Sequence, residues 1–344
     1  MKHGWILPVL LMCGLCLASA DAAAAASGAV LLWWTRVLPS LLPYLIAASL
    51  LERSGVMLRT PKRLAPAFLF LFGAIGGYPV GARLSGRLCR DGVLDELSAG
   101  RAAVFCNLPN PVFLISVIAC GVFQSIETAP PLLIGVYGAA LFGLIPLFRI
   151  RFRQMPQTAC SLSANDLPGA IETGVHAILI IGGCMVFASV LGALTGAFCT
   201  AVLHLSVTDM PASAVYAGLL GLFEITCGVR AFAALSLSLR FRLAVCAALI
   251  AFGGVSVLLQ TASQLRISMP RYVLFKLLFA VCAFALTYWI TPLFCQEPLS
   301  AVFADRAEMG RNAAAFAAVA VSAGVGLLSV FVLTCGLRRK NRSP

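Results

Sequence analysis

The chain has 344 residues, 60% of them hydrophobic and 11% charged, with a mean hydropathy of +0.97. A soluble globular domain carries about 25% charged residues, so this composition excludes one and makes the chain a polytopic membrane protein. The formal net charge of +12 does not point to nucleic acid, because the Arg residues stand in short loops between apolar runs and form no basic face.

A helix needs about 20 apolar residues to cross a bilayer. Runs of that kind fall near 4–20, 28–51, 64–82, 102–123, 130–148, 170–197, 212–237, 243–260, 272–293 and 313–336. The expected fold is therefore all-α, with about eight to ten membrane segments. Lys2, the apolar run to Leu17 and Ala18-Ser19-Ala20 have the three parts of a cleavable signal peptide, and they equally suit a retained first helix. Cys13 and Cys16 have redox spacing, but at membrane depth a thiol acts as a small hydrophobe.

Trp33-Trp34 beside Arg36 suits a headgroup anchor, and Pro39 and Pro43 are expected to bend the helix that follows. Arg53, Arg59, Lys62 and Arg63 place the next loop in the cytoplasm by the positive-inside rule. The segment 64–82 runs into a second basic region holding Arg83, Arg87, Arg90 and Arg101. Both basic regions stay inside if this segment enters and returns, and Gly76, Gly77, Pro79 and Gly81 permit that turn. Between 102 and 123, Asn107-Leu108-Pro109-Asn110-Pro111 disfavours a continuous helix. Backbone groups freed there must be satisfied by protein or by a wet cavity, the arrangement that frames sites in transporters.

The polar stretch after Arg153 divides the chain. In the second half, Glu224-Ile225-Thr226-Cys227-Gly228-Val229-Arg230 lies over Gly77-Tyr78-Pro79-Val80-Gly81-Ala82-Arg83 at a constant shift, 228 − 81 = 230 − 83 = 147 residues. The same shift sets Phe105-Cys106-Asn107 on Phe252-Gly253-Gly254. This predicts a degenerate internal repeat. Counting charged loops makes the halves enter from opposite sides, an inverted repeat, with Arg338, Arg339, Lys340 and Arg342 putting the C-terminus in the cytoplasm. The expected organisation is 1–27, a first helix or signal-like segment; 28–153, the first repeat; 154–168, a linker; 169–293, the second repeat; and 294–344, an acidic loop, helix and basic tail.

Glu224 sits in an apolar run, where an ionised carboxylate costs on the order of 3 kcal/mol, so it needs a partner, a cavity or a proton. Arg83 and Arg230 suit an anionic substrate through bidentate guanidinium pairing, or snorkel to an interface. His176 and Lys276, near span ends, are read as interfacial. No nucleotide-binding loop, HExxH or GxSxG pattern is present, so no enzyme and no catalytic residue is expected. Three scattered His residues form no metal motif.

Trp33-Trp34 with Leu38-Pro39-Ser40-Leu41-Leu42-Pro43, then Gly77-Tyr78-Pro79-Val80-Gly81-Ala82, Phe105-Cys106-Asn107 with Asn110-Pro111, and Gly221-Leu222-Phe223-Glu224-Ile225-Thr226 resemble the YlbJ-type sporulation integral membrane proteins. The likeness spans roughly residues 28 to 265. It implies a Gate or nucleoside-recognition type of domain, related to concentrative nucleoside transporters. It further implies a mother-cell or outer forespore membrane protein that moves dipicolinic acid toward the forespore at the cortex stage.

The resulting expectation is a transporter whose substrate site comprises Arg83, Asn107, Asn110, Glu224, Thr226 and Arg230. Gly77, Pro79, Gly81, Pro109, Pro111 and Gly228 serve as hinges or helix breaks. No cofactor is expected beyond a coupling H+ or Na+. The partners are a small anionic substrate and the lipid bilayer, with a homo-oligomer or other sporulation membrane proteins left open. A nucleoside carrier and a non-transporting scaffold, acting through loops 83–101 and 294–311, are the alternatives.

Overall fold

The computed structural model describes residues 5–142, 150–153, 166–203, 210–266 and 268–295. Regular structure there is entirely helical: α1 (Ile6–Leu17), α2 (Ser19–Leu32), α3 (Leu38–Arg53), α4 (Val56–Arg59), α5 (Ala65–Gly76), α6 (Val80–Arg90), α7 (Glu96–Cys106), α8 (Phe113–Val122, π-wound), α9 (Ala129–Phe142), α10 (Asp166–Leu203), α11 (Met210–Phe223), α12 (Ile225–Ala233), α13 (Leu239–Phe252), α14 (Gly254–Gln264) and α15 (Met269–Phe294). The chain is thus an all-α polytopic membrane protein.

Among the described residues four stretches are long and apolar enough to cross a bilayer unaided: Ser19–Arg53, Asp166–Phe198, Leu239–Gln264 and Met269–Phe294. Shorter apolar helices, including Ala65–Gly76, Phe113–Val122 and Ser213–Phe223, account for other expected segments. The expected acidic loop, C-terminal helix and basic tail lie outside the described residues, as do His204, Asp209 and most of the expected linker.

Local sequence explains the irregular points. Pro39 lacks the N–H that would bond four residues back, and the helix widens into a π turn at Trp33–Val37 before α3. The expected bend is therefore a wide turn ahead of the proline. Trp33 is no simple anchor, since its Nε1 donates to the Ile178 carbonyl of α10 at 3.0 Å, whereas Trp34 is exposed. Gly253 and Gly254 have φ of +93° and +64°, so the junction of α13 and α14 needs two consecutive residues without Cβ.

The two glycine-rich turns make helical hairpins. Gly73 on α5 and Gly81 on α6, each four residues from Gly77, both lie against the Cys106 carbonyl. The two helices therefore fold back on one another around a tip at Gly77, Tyr78 and Pro79, gripping the end of α7. On α11 and α12, Gly221 and Gly228 meet backbone to backbone: a Cβ on Gly228 would stand 2.0 Å from the Gly221 Cα. The tip of this second hairpin is Glu224. The shift of 147 that relates the glycine motifs also relates the tips, since 77 + 147 = 224.

The larger core cluster is centred on α13, nearly all of whose residues are buried, with α7, α9 and α15 around it. A smaller cluster joins Val37, Leu45, Ile178, Ile181 and Met185 of the α3 and α10 region to Val80 at the first tip. On α15 the large side chains Leu274, Leu278, Val281 and Trp289 are exposed, as lipid-facing residues are, while Val273, Lys276, Ala280, Ala283, Thr287 and Thr291 are buried.

Candidate functional site

Glu224 interrupts what would otherwise be one helix. Its backbone is extended, with φ −141° and ψ 120°, and its carboxylate caps α12 by accepting from the Cys227 N–H at 2.7 Å and from the Thr226 hydroxyl at 3.1 Å. A carboxylate at a helix N-terminus satisfies orphan N–H groups and sits well in the positive end of the helix dipole. It is 3% exposed.

The opposite break is satisfied with equal care. Asn110 Nδ2 donates to the Ile75 carbonyl freed at the end of α5, and its Oδ1 accepts from the Val112 N–H at 2.7 Å, opening the helical run into α8. Tyr137 donates to the Pro109 carbonyl at 2.6 Å, and Tyr78 to the Ile250 carbonyl at 3.0 Å. Asn107 Nδ2 reaches the Thr261 hydroxyl at 2.9 Å and the Tyr272 hydroxyl at 3.2 Å, while Lys276 donates to the Asn107 carbonyl at 2.7 Å. Side chains from distant helices thus take up the carbonyls that the breaks release.

Both tips and both breaks meet at one cavity of about 60 Å³. Gly77 and Tyr78 line it from the first hairpin, Pro109, Asn110 and Phe113 from the first break, Glu224, Ile225 and Thr226 from the second tip, and Ser256, Val257 and Gln260 from α14. The starts of α8 and α12 line it directly, at Phe113 and Ile225, each contributing the partial positive charge of a helix N-terminus. It has room for several waters and polar groups from four elements on its wall, which makes it the candidate binding cavity.

Of the residues expected to bind substrate, the structure brings Asn110, Glu224 and Thr226 to the cavity and leaves Arg83, Asn107 and Arg230 off its lining. Arg83 is engaged elsewhere: Nε and Nη2 donate to Glu52 Oε1 of α3 at 3.1 and 3.0 Å. Arg230 is exposed. Asn107 is buried one layer behind, its Oδ1 without a donor among the described residues. Gly77 and Pro109 line the cavity; Pro79 caps α6, Pro111 starts the run into α8, and Gly81 and Gly228 set the hairpin packing. His176 is exposed, in keeping with its interfacial reading, but Lys276 is 0% exposed, because its face of α15 turns into the bundle.

Sequence reasoning missed Tyr78, Ser256 and Gln260. Ser256 and Gln260 are polar, four residues apart on one face of an apolar helix directly after a glycine break, and that spacing was available as a signal.

The chain is similar to the sporulation integral membrane protein YlbJ of Bacillus subtilis (strain 168), 27% identical over 322 residues and covering 79% of each chain. The match supports a YlbJ-type assignment. No protein-family model matches the chain, and no solved structure matches it.

Proposed function

We propose that this chain is a solute carrier in the membrane of a sporulating bacterium, and that its cargo is a small planar dianion, dipicolinate, moved toward the forespore. The likeness to a sporulation membrane protein supports the setting. The observation that carries the transport reading is the cavity between two hairpin tips, with a buried carboxylate at one tip and the N-termini of α8 and α12 on its lining. Discontinuous helices around a buried cavity permit one half to move against the other while the backbone stays hydrogen-bonded.

An anionic cargo would meet the N–H ends of α8 and α12 and the hydroxyl of Thr226, with the exposed Arg230 farther along α12 to draw anions toward its tip. Two unit charges 4 Å apart interact by about 4 kcal/mol at an effective dielectric constant of 20, so Glu224 must be neutralised by a proton or cation before a dianion enters. Coupling to a H+ or Na+ gradient follows from that requirement. A nucleoside is the second reading, favoured by the absence of any Lys or Arg from the cavity lining.

The test is uptake of labelled dipicolinate by proteoliposomes holding only this protein. Wild type is expected to accumulate it under an ion gradient, and Glu224→Gln, which keeps an oxygen to cap α12 but carries no charge, is expected to lose that accumulation while still exchanging dipicolinate across the membrane. Uptake of labelled uridine that excess dipicolinate does not slow, with no uptake of labelled dipicolinate, would transfer the site to nucleosides. Undiminished accumulation by a well-folded Glu224→Gln would remove Glu224 from the mechanism.

A further inference from the structure

Lys276 is the one Lys or Arg among the described residues with no exposed surface, and it stands on the inner face of a membrane-crossing helix. Its ammonium has three donors, of which one is used, in the bond to the Asn107 carbonyl. The remaining neighbours are rings: Phe279, Tyr78 and Tyr272, with centroids 5.1, 5.4 and 5.8 Å from Nζ. No carboxylate among the described residues lies within ion-pair distance.

The groups facing it from each packed element are few. The α7 end brings Cys106, the first tip Tyr78, α9 Tyr137 and α15 itself Tyr272. Arg240 of α13 is bound twelve residues farther along α15 at the Tyr288 carbonyl, and the segment Ile126–Thr128 meets α15 at Cys295, where Glu127 offers its carbonyl. A charged amine in such a place costs several kcal/mol unless it has a purpose, and intramembrane ionisable groups mark ion and proton paths.

Asn107 caps the C-terminus of α7, a half-helix that ends inside the bundle. The C-terminal carbonyls of half-helices carry partial negative charge and are where a coupling sodium ion binds. Here that position holds a tethered ammonium. We propose that the coupling ion of this carrier is a proton held by Lys276, whose ammonium stands at the negative end of α7 where a sodium ion would otherwise bind. The inference rests on the carrier reading given above, takes H+ from the two ions that reading allows, and adds Lys276 as a proton site beside Glu224.

The step balances simply. The ammonium gives its proton to water, leaving a neutral amine and hydronium, and takes one back from hydronium on the other side of the cycle. Asn107 Oδ1 and Gln260 Oε1 are buried acceptors without donors among the described residues; Gln260 lines the cavity, and the next residue, Thr261, bonds the Asn107 whose carbonyl holds the amine. While the ammonium is charged it clamps the Asn107 carbonyl. Once neutral it keeps only a weaker, uncharged N–H bond to that carbonyl and so loosens the end of α7, which Gly73 and Gly81 of the first hairpin touch.

Two measurements test this together. In the first, Cys106 is retained with the other cysteines of the chain replaced, and its alkylation is followed against pH. Cys106 is buried at the clamped end, so its labelling reports the loosening. Beyond the thiolate's own pH dependence, labelling should change about tenfold per pH unit on the clamped side of a one-proton equilibrium. Lys276→Arg, which holds its charge, should flatten this to low labelling, and Lys276→Met to high labelling.

In the second, wild-type proteoliposomes should accumulate dipicolinate under an inward proton gradient in sodium-free choline buffer, and both variants should lose that accumulation. A requirement for sodium, or accumulation by Lys276→Arg equal to wild type, overturns the proposal. If wild type moves no dipicolinate under any gradient, the cargo assignment fails and the labelling decides the proton site: a Lys276-dependent pH profile upholds it, and identical profiles in all three proteins overturn it.

Discussion

Gly81→Ala tests the hairpin packing that positions the cavity. A Cβ at Gly81 would lie 2.1 Å from the Cys106 carbonyl oxygen, 2.4 Å from its carbon and 2.6 Å from the Asn107 nitrogen. Restoring ordinary contact at 3.4 Å needs a shift of 3.4 − 2.1 = 1.3 Å, and the atoms that must move are backbone. Overpacking of that kind costs about 1–3 kcal/mol, here at the upper end, and better helix propensity returns at most about 1 kcal/mol, leaving a loss of about 2 kcal/mol. At about 2 °C per kcal/mol for a chain of this size, thermal unfolding in detergent should fall by about 4 °C. A Cβ added at Gly28 or Gly183 would meet nothing within 4 Å, so Gly28→Ala and Gly183→Ala should be neutral or slightly stabilising. If Gly81→Ala unfolds with those controls, α6 does not grip the end of α7 and the cavity geometry is wrong.

Asn110→Ala leaves the Ile75 carbonyl and the Val112 N–H without their partner and should cost about 1–3 kcal/mol in the same assay, and Asn110→Asp, which keeps the acceptor but sets a buried carboxyl oxygen against the Ile75 carbonyl, should cost at least as much. Arg83→Met strands the nearly buried Glu52 and should destabilise by about 2 kcal/mol, discounted for partial exposure, while Arg83→Met with Glu52→Leu should recover most of that loss. Full transport in the double variant would make Arg83 a strut between α6 and α3, and lost transport in a recovered fold would give it a role with anions. Asp95, on an exposed loop, caps α7, and the Ser98 N–H holds its carboxyl below the usual carboxylate range. A lowered folded-state value means that this stabilisation is full above the unfolded carboxyl range and is lost as pH falls through the folded one. Asp95→Ala should cost about 1 kcal/mol at neutral pH, and the gap to wild type should close on acidification.

The sequence made the breaks legible because helix-breaking residues and buried charge are local properties. Gly77, Pro79, Pro109 and Glu224 each violate the rules of an apolar helix where they stand, and the 147-residue shift tied the two tips together. Contacts between distant helices were not legible in the same way. Glu52 stands at the edge of a basic loop, and nothing local says that Arg83, on another helix, will engage it. Lys276 reads as interfacial because a Lys four residues past the start of the apolar run at 272 looks like a snorkelling end residue. Its true environment was written one level up: it shares a face with Ala280, Ala283, Thr287 and Thr291, opposite Leu274, Leu278, Val281 and Trp289, so it follows the small residues into the bundle. The widening at Trp33–Val37 was likewise expected as a bend at the prolines, and fell one turn earlier.

The most direct test of the account is access to the cavity itself. Ser256→Cys, in a background without other cysteines, places one thiol on the cavity wall, where the residue is 3% exposed. A membrane-impermeant thiol reagent should label it from either side in right-side-out and inside-out vesicles, and dipicolinate should slow labelling from both. Labelling from one side alone, or from neither, would contradict a carrier that exposes this cavity alternately to the two faces of the membrane.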